Sequence, residues 1–401
     1  IDISQLPVFE PGLDEIIKRC RNKNLHFSND IKKHIENADM IFISVNTPTK
    51  ISGIGAGQAV DLKWVESSAR QISKYARNET IVVEKSTLPV KTAETIKKIL
   101  FAYSDDETDS DPQKTFSVLS NPEFLAEGTA INDLENPDRV LIGGENDYAI
   151  NSLKKIYLNW VPEKKIITTS LWSSELSKLI ANAFLAQRIS SINSVSAICE
   201  ETGADVKEVA LAVGSDKRIG NNFLNAGPGF GGSCFKKDIL NLVYICNHYG
   251  LNEVASYWEK VIDINIWQQK RISSLIVAKL FGTLSGKKIS ILGFSFKANT
   301  NDTRESPSIK ICKELLEEGA NLAIYDPRVS QKQIESDLER EDSLNIKNLT
   351  KEGTWSFCNS IKDSAFNSDA ILIITEWAEF KEINWEDISN IMRKPSWIFD
   401  T

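Results

Sequence analysis

A cysteine closes a loop that holds four glycines in eight residues, Gly227-Pro-Gly-Phe-Gly-Gly-Ser-Cys234, and Lys236, Lys237 and Asp238 follow at once. A free thiol with a pKa of about 8.5 is only a few per cent thiolate at pH 7, and nearby ammonium groups or loop amides raise that fraction. The pattern fits a nucleophile; it also fits a small residue in a tight turn. Lys178 and Asn182 stand four apart, on one face of a helix. A cation and an amide so placed can stabilise an oxyanion or belong to a solvent-facing stripe. Glu123 and Glu127 are likewise four apart, within Asn121-Pro-Glu-Phe-Leu-Ala-Glu-Gly128. They suit a general base or a helix-start pair. Ser44-Val-Asn-Thr-Pro-Thr49 and Glu84-Lys-Ser-Thr-Leu-Pro89 carry hydroxyls that could touch a cofactor or cap the next helix, capping being the commoner use.

These residues need elements to place them. Apolar runs at 40–45, 80–83, 116–119 and 140–142 read as buried strands, with helical spacing at 61–75 and 91–101 between them. Strands alternating with helices predict a parallel sheet covered on both faces, and open sheets of this kind bind ligands at the carboxyl ends of their strands. From Ser173 to Glu201 apolar residues recur every three or four positions. Ser173 or Ser174 is placed to cap, and Gly203 follows the far end. About 28 residues make a helix of about 42 Å. Its apolar positions spread beyond one stripe, which suits a spine joining domains or subunits. Further helices are predicted near 208–213, 239–247 and 258–280. After Gly286 a second α/β pattern begins: strands at 287–292, 322–325, 370–375 and 397–399, and a helix at 307–318. The acidic stretch 103–114 reads as a solvated loop, and 328–353 as irregular or short-helical.

Composition narrows the function. The 401 residues carry 47 basic and 55 acidic side chains, a net charge of −8, which argues against a nucleic-acid partner. No apolar run reaches the roughly 20 residues of a membrane helix. Six dispersed cysteines and three histidines form no zinc pattern, so no metal is expected, and free thiols point to a reducing, cytoplasmic compartment. Two glycine clusters imitate a dinucleotide fingerprint. Gly53-Ile-Gly-Ala-Gly57 fails it at Gln58, and Gly227–Gly232 satisfies it without the preceding strand that the motif requires.

Taken together, the stretches ISVNTPTK (43–50), EKSTLPV (84–90), SNPEFLAEGTAI (120–131), NPDRVLIGG (136–144), the long helix at 172–200, GFGGSCFKKDILNLVY (229–244), ILGFSFK (291–297) and NDTRES (301–306) resemble the UDP-glucose 6-dehydrogenases of the UDP-glucose/GDP-mannose dehydrogenase family. The density of matches resembles the eukaryotic branch. The fold class expected is α/β: two Rossmann-like parallel-sheet domains joined by a central helical domain with one long helix. The expected bounds are 1–170 for NAD binding, 171–281 for the helical centre and 282–401 for UDP-sugar binding.

The resemblance implies a two-step, four-electron oxidation of UDP-glucose to UDP-glucuronate with NAD as cofactor. Cys234 matches the nucleophile that forms a thiohemiacetal and then a thioester. Glu123 matches the base for thioester hydrolysis, and Thr87 helps place the water. Lys178 and Asn182 match the oxyanion-stabilising groups, and Asp238 the partner of Lys178. Phe124, Leu125, Ala126 and Glu127 match the loop around the UDP-sugar, with Phe223, Gly231 and Lys297 further along. Thr47, Thr87, Glu127 and Arg304 match cofactor contacts. Arg218 matches an arginine that completes a neighbouring subunit's site, so a homo-oligomer, dimeric or hexameric, is expected.

Two departures stand out. Asn225 takes the place of a usual lysine in the sugar pocket. The family opens with a strand, a G-x-G-x-x-G turn, a helix and a second strand, and Leu6–Gly12 matches a segment beyond them. The N-terminal domain is therefore expected to lack its first βαβ unit, and the last domain to stop near a final substrate contact. Two alternatives follow: a sister dehydrogenase acting on GDP-mannose or UDP-N-acetylmannosamine, and a non-catalytic UDP-sugar-binding homologue.

Overall fold

The computed structural model describes residues 6, 9–77, 79–102, 115–339 and 353–401. The acidic stretch 103–114 and most of 340–353 lie outside the described residues. In chain order the elements are α1 (Leu13–Cys20), α2 (Ile31–Glu36), β1 (Met40–Ile43), α3 (Lys63–Tyr75), β2 (Thr80–Glu84), α4 (Thr92–Ala102), β3 (Phe116–Ser120), α5 (Ala130–Glu135), β4 (Val140–Gly143), α6 (Asp147–Tyr157), β5 (Ile166–Thr169), α7 (Leu171–Thr202), α8 (Val206–Gly214), α9 (Phe235–His248) and α10 (Asn252–Lys279). They continue with β6 (Lys288–Leu292), α11 (Pro307–Glu317), β7 (Asn321–Tyr325), α12 (Gln331–Glu339), β8 (Thr354–Phe357), α13 (Ile361–Ala365), β9 (Ala370–Ile373), α14 (Ala378–Lys381), α15 (Trp385–Ile391) and β10 (Trp397–Asp400). Two compact units result: Ile1–Asn182 with Lys237–Ser256, and Ala183–Lys236 with Tyr257–Thr401.

In the first unit five strands lie in the order β1-β2-β3-β4-β5. β2, β3 and β4 are buried along their whole length, as apolar-rich strands covered on both faces are. The pairing is parallel within β1–β3 and between β4 and β5. One step departs from the all-parallel expectation: β3 and β4 meet antiparallel at Ser120 and Gly143. Val82 and Val118 pack with α3 and α4 on one side through Ala69, Ile72, Ile96 and Leu100. Val83, Leu119 and Ile142 pack with α6 through Ala149 and Leu153.

α7 begins two residues before the predicted start and ends one after the predicted end. Its 32 residues make it about 48 Å long. The predicted N-cap is corrected: Ser170 Oγ, rather than Ser173 or Ser174, accepts from an early helix amide, that of Ser173, at 3.4 Å. Gly203 follows with φ +78°, the left-handed geometry of a helix terminator.

In the second unit all strands are parallel, in the order β10-β9-β6-β7-β8. Counted from β6 this is the Rossmann order, with its switch point between β6 and β9. Ile289, Ile291, Leu322, Ile324 and Leu372 form the core with Ile311, Leu315 and Ile276. At the carboxyl end of β6 the chain turns sharply. Gly293 has φ +94°, and a Cβ there would sit 2.4 Å from that of Thr375. Asp326, buried at the end of β7, accepts from Phe294 N at 2.7 Å, Ser295 N at 3.0 Å, Arg328 N at 2.8 Å, Val329 N at 2.9 Å and Trp377 Nε1 at 3.2 Å.

Asp326→Ala leaves several buried donors unpaired at once, so it is expected to cost about 3 kcal/mol or more of unfolding free energy. Asp326→Asn, which keeps an acceptor oxygen, should lose less. Urea unfolding of the two variants checks both; an alanine variant within about 1 kcal/mol of the parent contradicts the assignment.

Candidate functional site

The chemistry-bearing segments of the first unit leave the carboxyl ends of β1, β2 and β3. Their hydroxyls do not cap helices. Ser86 Oγ donates to Val45 O at 2.7 Å, and Thr47 Oγ1 donates to Thr87 O at 3.2 Å. Lys85 Nζ donates to Asn121 Oδ1 at 3.3 Å. The three loops are thus tied to one another. Lys237, in the first turn of α9, donates to Thr47 Oγ1 at 3.2 Å. Thr47 is buried and Thr87 partly so, at the edge where open parallel sheets take dinucleotides. This donor set fits an NAD contact.

α7 turns a polar face inward. Lys178 is 5% exposed and Asn182 6%, and Asp238 on α9 is 1% exposed. Asn182 Nδ2 donates to Asp238 Oδ2 at 2.6 Å. Asp238's direct partner is therefore Asn182, with Lys178 acting on it by charge alone. Burial raises the Asp238 pKa, and Lys237, Asn182 and Lys178 pull against that rise. Lys178 Nζ lies 5.3 Å from the Phe124 ring centroid, and the Arg139 guanidinium covers the same ring at 3.8 Å. Both are favourable cation–π distances. Leu125 and Glu127 are half-buried on this loop and Ala126 is exposed. Ala126 N donates to Asp133 at 2.9 Å. The Glu10 carboxylate accepts from Gly128 N at 2.7 Å and Ala130 N at 2.8 Å, fixing the turn into α5.

In the second unit Cys234 precedes α9 and is exposed, with Sγ 3.5 Å from Ser233 Oγ. It differs from the other thiols. Cys199, Cys246 and Cys312 are buried, and desolvation pushes the Cys246 and Cys312 pKa values up. Lys236, expected to help the thiol ionise, pairs with Glu305 at 2.8 Å. The glycine loop is pinned to α10: Asn265 accepts from Phe230 N at 2.8 Å, and Gln268 Nε2 donates to Gly227 O at 3.0 Å. Gly231 packs its Cα face on the Glu305 carbonyl, where a Cβ would come within 2.5 Å.

The remaining assignments are dispersed. Arg218 is exposed and pairs with Asp216 at 2.6 Å. Phe223 takes a left-handed φ of +62°, uncommon for an aromatic residue. Arg188 anchors this loop by donating to the carbonyls of Ile219, Gly220 and Asn222 at 3.0, 2.6 and 2.8 Å. Asn225 is exposed on the same loop. Lys297 Nζ lies 5.5 Å from the Phe296 ring, and Arg304 Nε donates to Asp302 at 2.9 Å.

Sequence reasoning gave no role to Lys85, Arg139 or Arg188, nor to a buried carboxyl pair. Glu84, at the end of β2, is 1% exposed, and neither of its oxygens meets a donor. Glu175 on α7 accepts from Lys91 N at 2.7 Å and Ala93 N at 2.8 Å, at the start of α4. Burial raises both pKa values, and the Glu175 charge raises that of Glu84 well above the ordinary carboxyl value. Of the two, Glu84 is held the more strongly toward its protonated form, because backbone amides at the start of α4 oppose the rise on Glu175. The signal lies in the partner's position on α7, which no local motif reveals.

Two Rossmann-type sheets, a run of long helices and a buried lysine–amide–carboxylate cluster define an α/β oxidoreductase of the nicotinamide-dependent kind. The chain belongs to the UDP-glucose/GDP-mannose dehydrogenase family: residues 1–161 match its NAD binding domain, 172–267 its central domain and 290–401 its UDP binding domain. It is 54% identical to UDP-glucose 6-dehydrogenase 4 of Arabidopsis thaliana, covering 99% of this chain and 83% of the relative. It is 56% identical, with the same coverage, to UDP-glucose 6-dehydrogenase of Drosophila melanogaster. A UDP-glucose dehydrogenase structure from Pyrobaculum islandicum superposes with a TM-score of 0.82 at 28% identity, over 98% of this chain and 87% of that one. Among the described residues, no helix is long and apolar enough to cross a membrane.

A carboxyl that holds its proton more tightly when folded makes folding take up a proton. Its stabilising contribution is full below the unfolded pKa of about 4.3 and drains away as pH rises toward the folded value. Glu84→Gln cannot ionise and is expected to escape that drain. The variant should match the parent near pH 4 and exceed it at pH 8, the gap growing by at most about 1.4 kcal/mol per pH unit. Thermal midpoints from pH 4 to 9 test this; a pH-independent difference contradicts the proton assignment.

Proposed function

We propose that this chain oxidises UDP-glucose to UDP-glucuronate, with NAD as cofactor and Cys234 as covalent holder. NAD, when bound, accepts a hydride from carbon 6 in each of the two oxidations. Between them the Cys234 sulfur adds to the aldehyde carbon, forming a carbon–sulfur bond and a thiohemiacetal. Loss of the second hydride and of the hydroxyl proton leaves a thioester. Water then attacks its carbonyl carbon, Glu123 takes the water's proton with Thr87 placing the water, and the thiolate departs. A thiol serves here because it is both nucleophile and leaving group.

Lys178 and Asn182 stabilise the negative oxygen in the tetrahedral states. The Asn182 amide nitrogen carries two hydrogens; Asp238 takes one and so orients the group. The buried Asn182–Asp238 contact beside Lys178 is the observation that carries this reading. Phe124, Leu125, Ala126, Glu127, Phe223, Gly231 and Lys297 take the UDP-sugar, while Thr47, Thr87, Glu127 and Arg304 contact the cofactor. In this reading residues 1–170 bind NAD, 171–281 form the helical centre and 282–401 bind the UDP moiety.

A second copy of the chain is the partner. Phe184 and Ile198 on α7, Leu211 on α8 and Tyr257 on α10 are large apolar side chains left exposed in one chain, and a second copy would bury such residues. Arg218, exposed and paired with Asp216, is the residue that reaches the copy's site in this reading. Six free cysteines suit a reducing, cytoplasmic setting.

Cys234→Ser is expected to lower UDP-glucuronate formation by about 10³-fold or more. Parent enzyme should yield two NADH per UDP-glucuronate, read by absorbance and chromatography. Parent-like turnover in the serine variant contradicts the covalent route. Strong preference for GDP-mannose or UDP-N-acetylmannosamine over UDP-glucose contradicts the substrate.

A further inference from the structure

Between α8 and the glycine loop the chain makes an irregular excursion that carries Arg218, Phe223 and Asn225. It opens with a turn of its own: Ile219 N and Gly220 N both donate to Asp216 O, at 2.9 and 2.8 Å. The carbonyls that follow are taken by one side chain of α7. Arg188, half-buried, donates from Nη1 to Ile219 O at 3.0 Å, from Nη2 to Gly220 O at 2.6 Å and from Nε to Asn222 O at 2.8 Å. Three edges of a rigid planar fork thus meet three carbonyls within one short stretch, a grip that an ammonium could not make. Gly214, the last residue of α8, lets the same stretch come close: a Cβ there would sit 2.1 Å from Asn221 Oδ1 and 3.0 Å from Asn221 Cα. Asn193, further along α7 and fully buried, accepts from Gly227 N at 2.9 Å. α7 therefore holds both ends of the segment 219–227. What it holds is strained. Phe223 has φ +62° and is 42% exposed. An aromatic residue persists in the left-handed region only where its surroundings over-determine it, and such strain collects at ligand sites. Packing of the half-exposed ring does not impose it here; the grip on the carbonyls just before it does.

We propose that Arg188 is a positioning residue for UDP-glucose: by fixing the carbonyls of Ile219, Gly220 and Asn222 it keeps Phe223 in the left-handed conformation in which the ring takes the UDP-sugar. The inference rests on Phe223 being a substrate contact. Arg188 acts through the loop. Its bonds are complete before any substrate arrives, so the loop need not be ordered at the moment of binding. A grip that is the same in the ground state and in both oxidations contributes uniform binding, which sets KM and leaves kcat alone. Without it the backbone relaxes toward negative φ at Phe223, and the cost of returning falls on each binding event.

The test measures initial rates of the purified chain, with UDP-glucose varied at saturating NAD and NAD varied at saturating UDP-glucose. Arg188→Met is expected to raise KM for UDP-glucose by about tenfold, with kcat within about threefold and KM for NAD within about twofold of the parent. A general loss of folding would move all three, so a matching fall in kcat or rise in KM for NAD overturns the proposal. Arg188→Lys keeps the charge and loses the fork, so it should recover little of the affinity; full recovery overturns the proposal. It also takes the place of the methionine variant if that one does not fold. In a Phe223→Ala background, adding Arg188→Met should change KM for UDP-glucose by less than about twofold, because the ring it serves is gone. A further rise of about tenfold there overturns the proposal, since the two residues would then act independently. Phe223→Ala alone separates the two readings. A raised KM for UDP-glucose in Phe223→Ala with a parent-like KM in the folded Arg188 variant refutes the Arg188 inference alone; a parent-like KM in Phe223→Ala refutes the substrate contact on which it rests.

Discussion

Everything around the candidate site depends on one constraint: α7 buries charge. Glu175, Lys178 and Asn182 recur at helical spacing on one face, and all three are buried. A buried charge or amide without a partner is costly. The partners come from three separate segments. Glu175 accepts the amides at the start of α4, Lys178 lies against the Phe124 ring, and Asn182 holds Asp238 on α9. One helix face thereby fixes the segment after β2, the loop after β3 and the first turn of α9.

Such a face does little for net stability, because desolvation consumes most of what the contacts return. The apolar cores supply the rest. Residues such as Val82, Ile96, Leu100 and Val118 in the first unit, and Ile289, Ile291, Leu322 and Ile324 in the second, are buried almost completely. Each fully buried aliphatic side chain is worth about 1.5–3 kcal/mol. An exposed ion pair such as Lys236–Glu305 is worth at most about 1 kcal/mol. The sheets can therefore hold an ionised cluster at their edge.

Much of the fold was legible in the sequence where burial is continuous. β9 is an unbroken apolar run, and β2 and β3 are apolar but for Thr80, Glu84, Ser117 and Ser120, because both sheet faces are covered. β5 and β8 were missed because they are edge strands with half-exposed, threonine- or serine-bearing sequences. α1 carries Leu13, Ile16, Ile17 and Cys20 at helical spacing, but its eight residues are a short window to read and none of them is buried. On α7 the rule is mixed: Trp172, Phe184 and Ile198 are exposed, while Glu175, Lys178 and Asn182 are buried alongside Leu179, Ala183 and Ala186. Local spacing alone could not tell an oxyanion pair at Lys178 and Asn182 from a solvated stripe. Motif resemblance singled them out, and their burial now argues against the stripe. Lys85 and Glu84 were invisible as partners. Lys85 meets Asn121 across 36 residues, and Glu84 faces a carboxyl on a distant helix. Such pairings are set by sheet register.

The glycine loop before Cys234 shows how a pattern can mislead while its composition remains exact in purpose. Gly227–Gly232 spells a dinucleotide fingerprint, yet its glycines answer to packing within their own unit. A Cβ on Gly229 would meet Asn265 Oδ1 at 2.5 Å, one on Gly231 the Glu305 carbonyl at 2.5 Å, and one on Gly232 the Phe296 ring at 2.9 Å. Gly229 and Gly232 also take positive φ, which other residues adopt at a cost. With Asn193, Asn265 and Gln268 holding its backbone, the loop has little freedom where it delivers Cys234 to the start of α9. A nucleophile needs that restraint, because its attack is productive only from a narrow range of positions. The glycines are thus required by the closeness of the backbone to its neighbours, and the chemistry belongs to the residue at the loop's end.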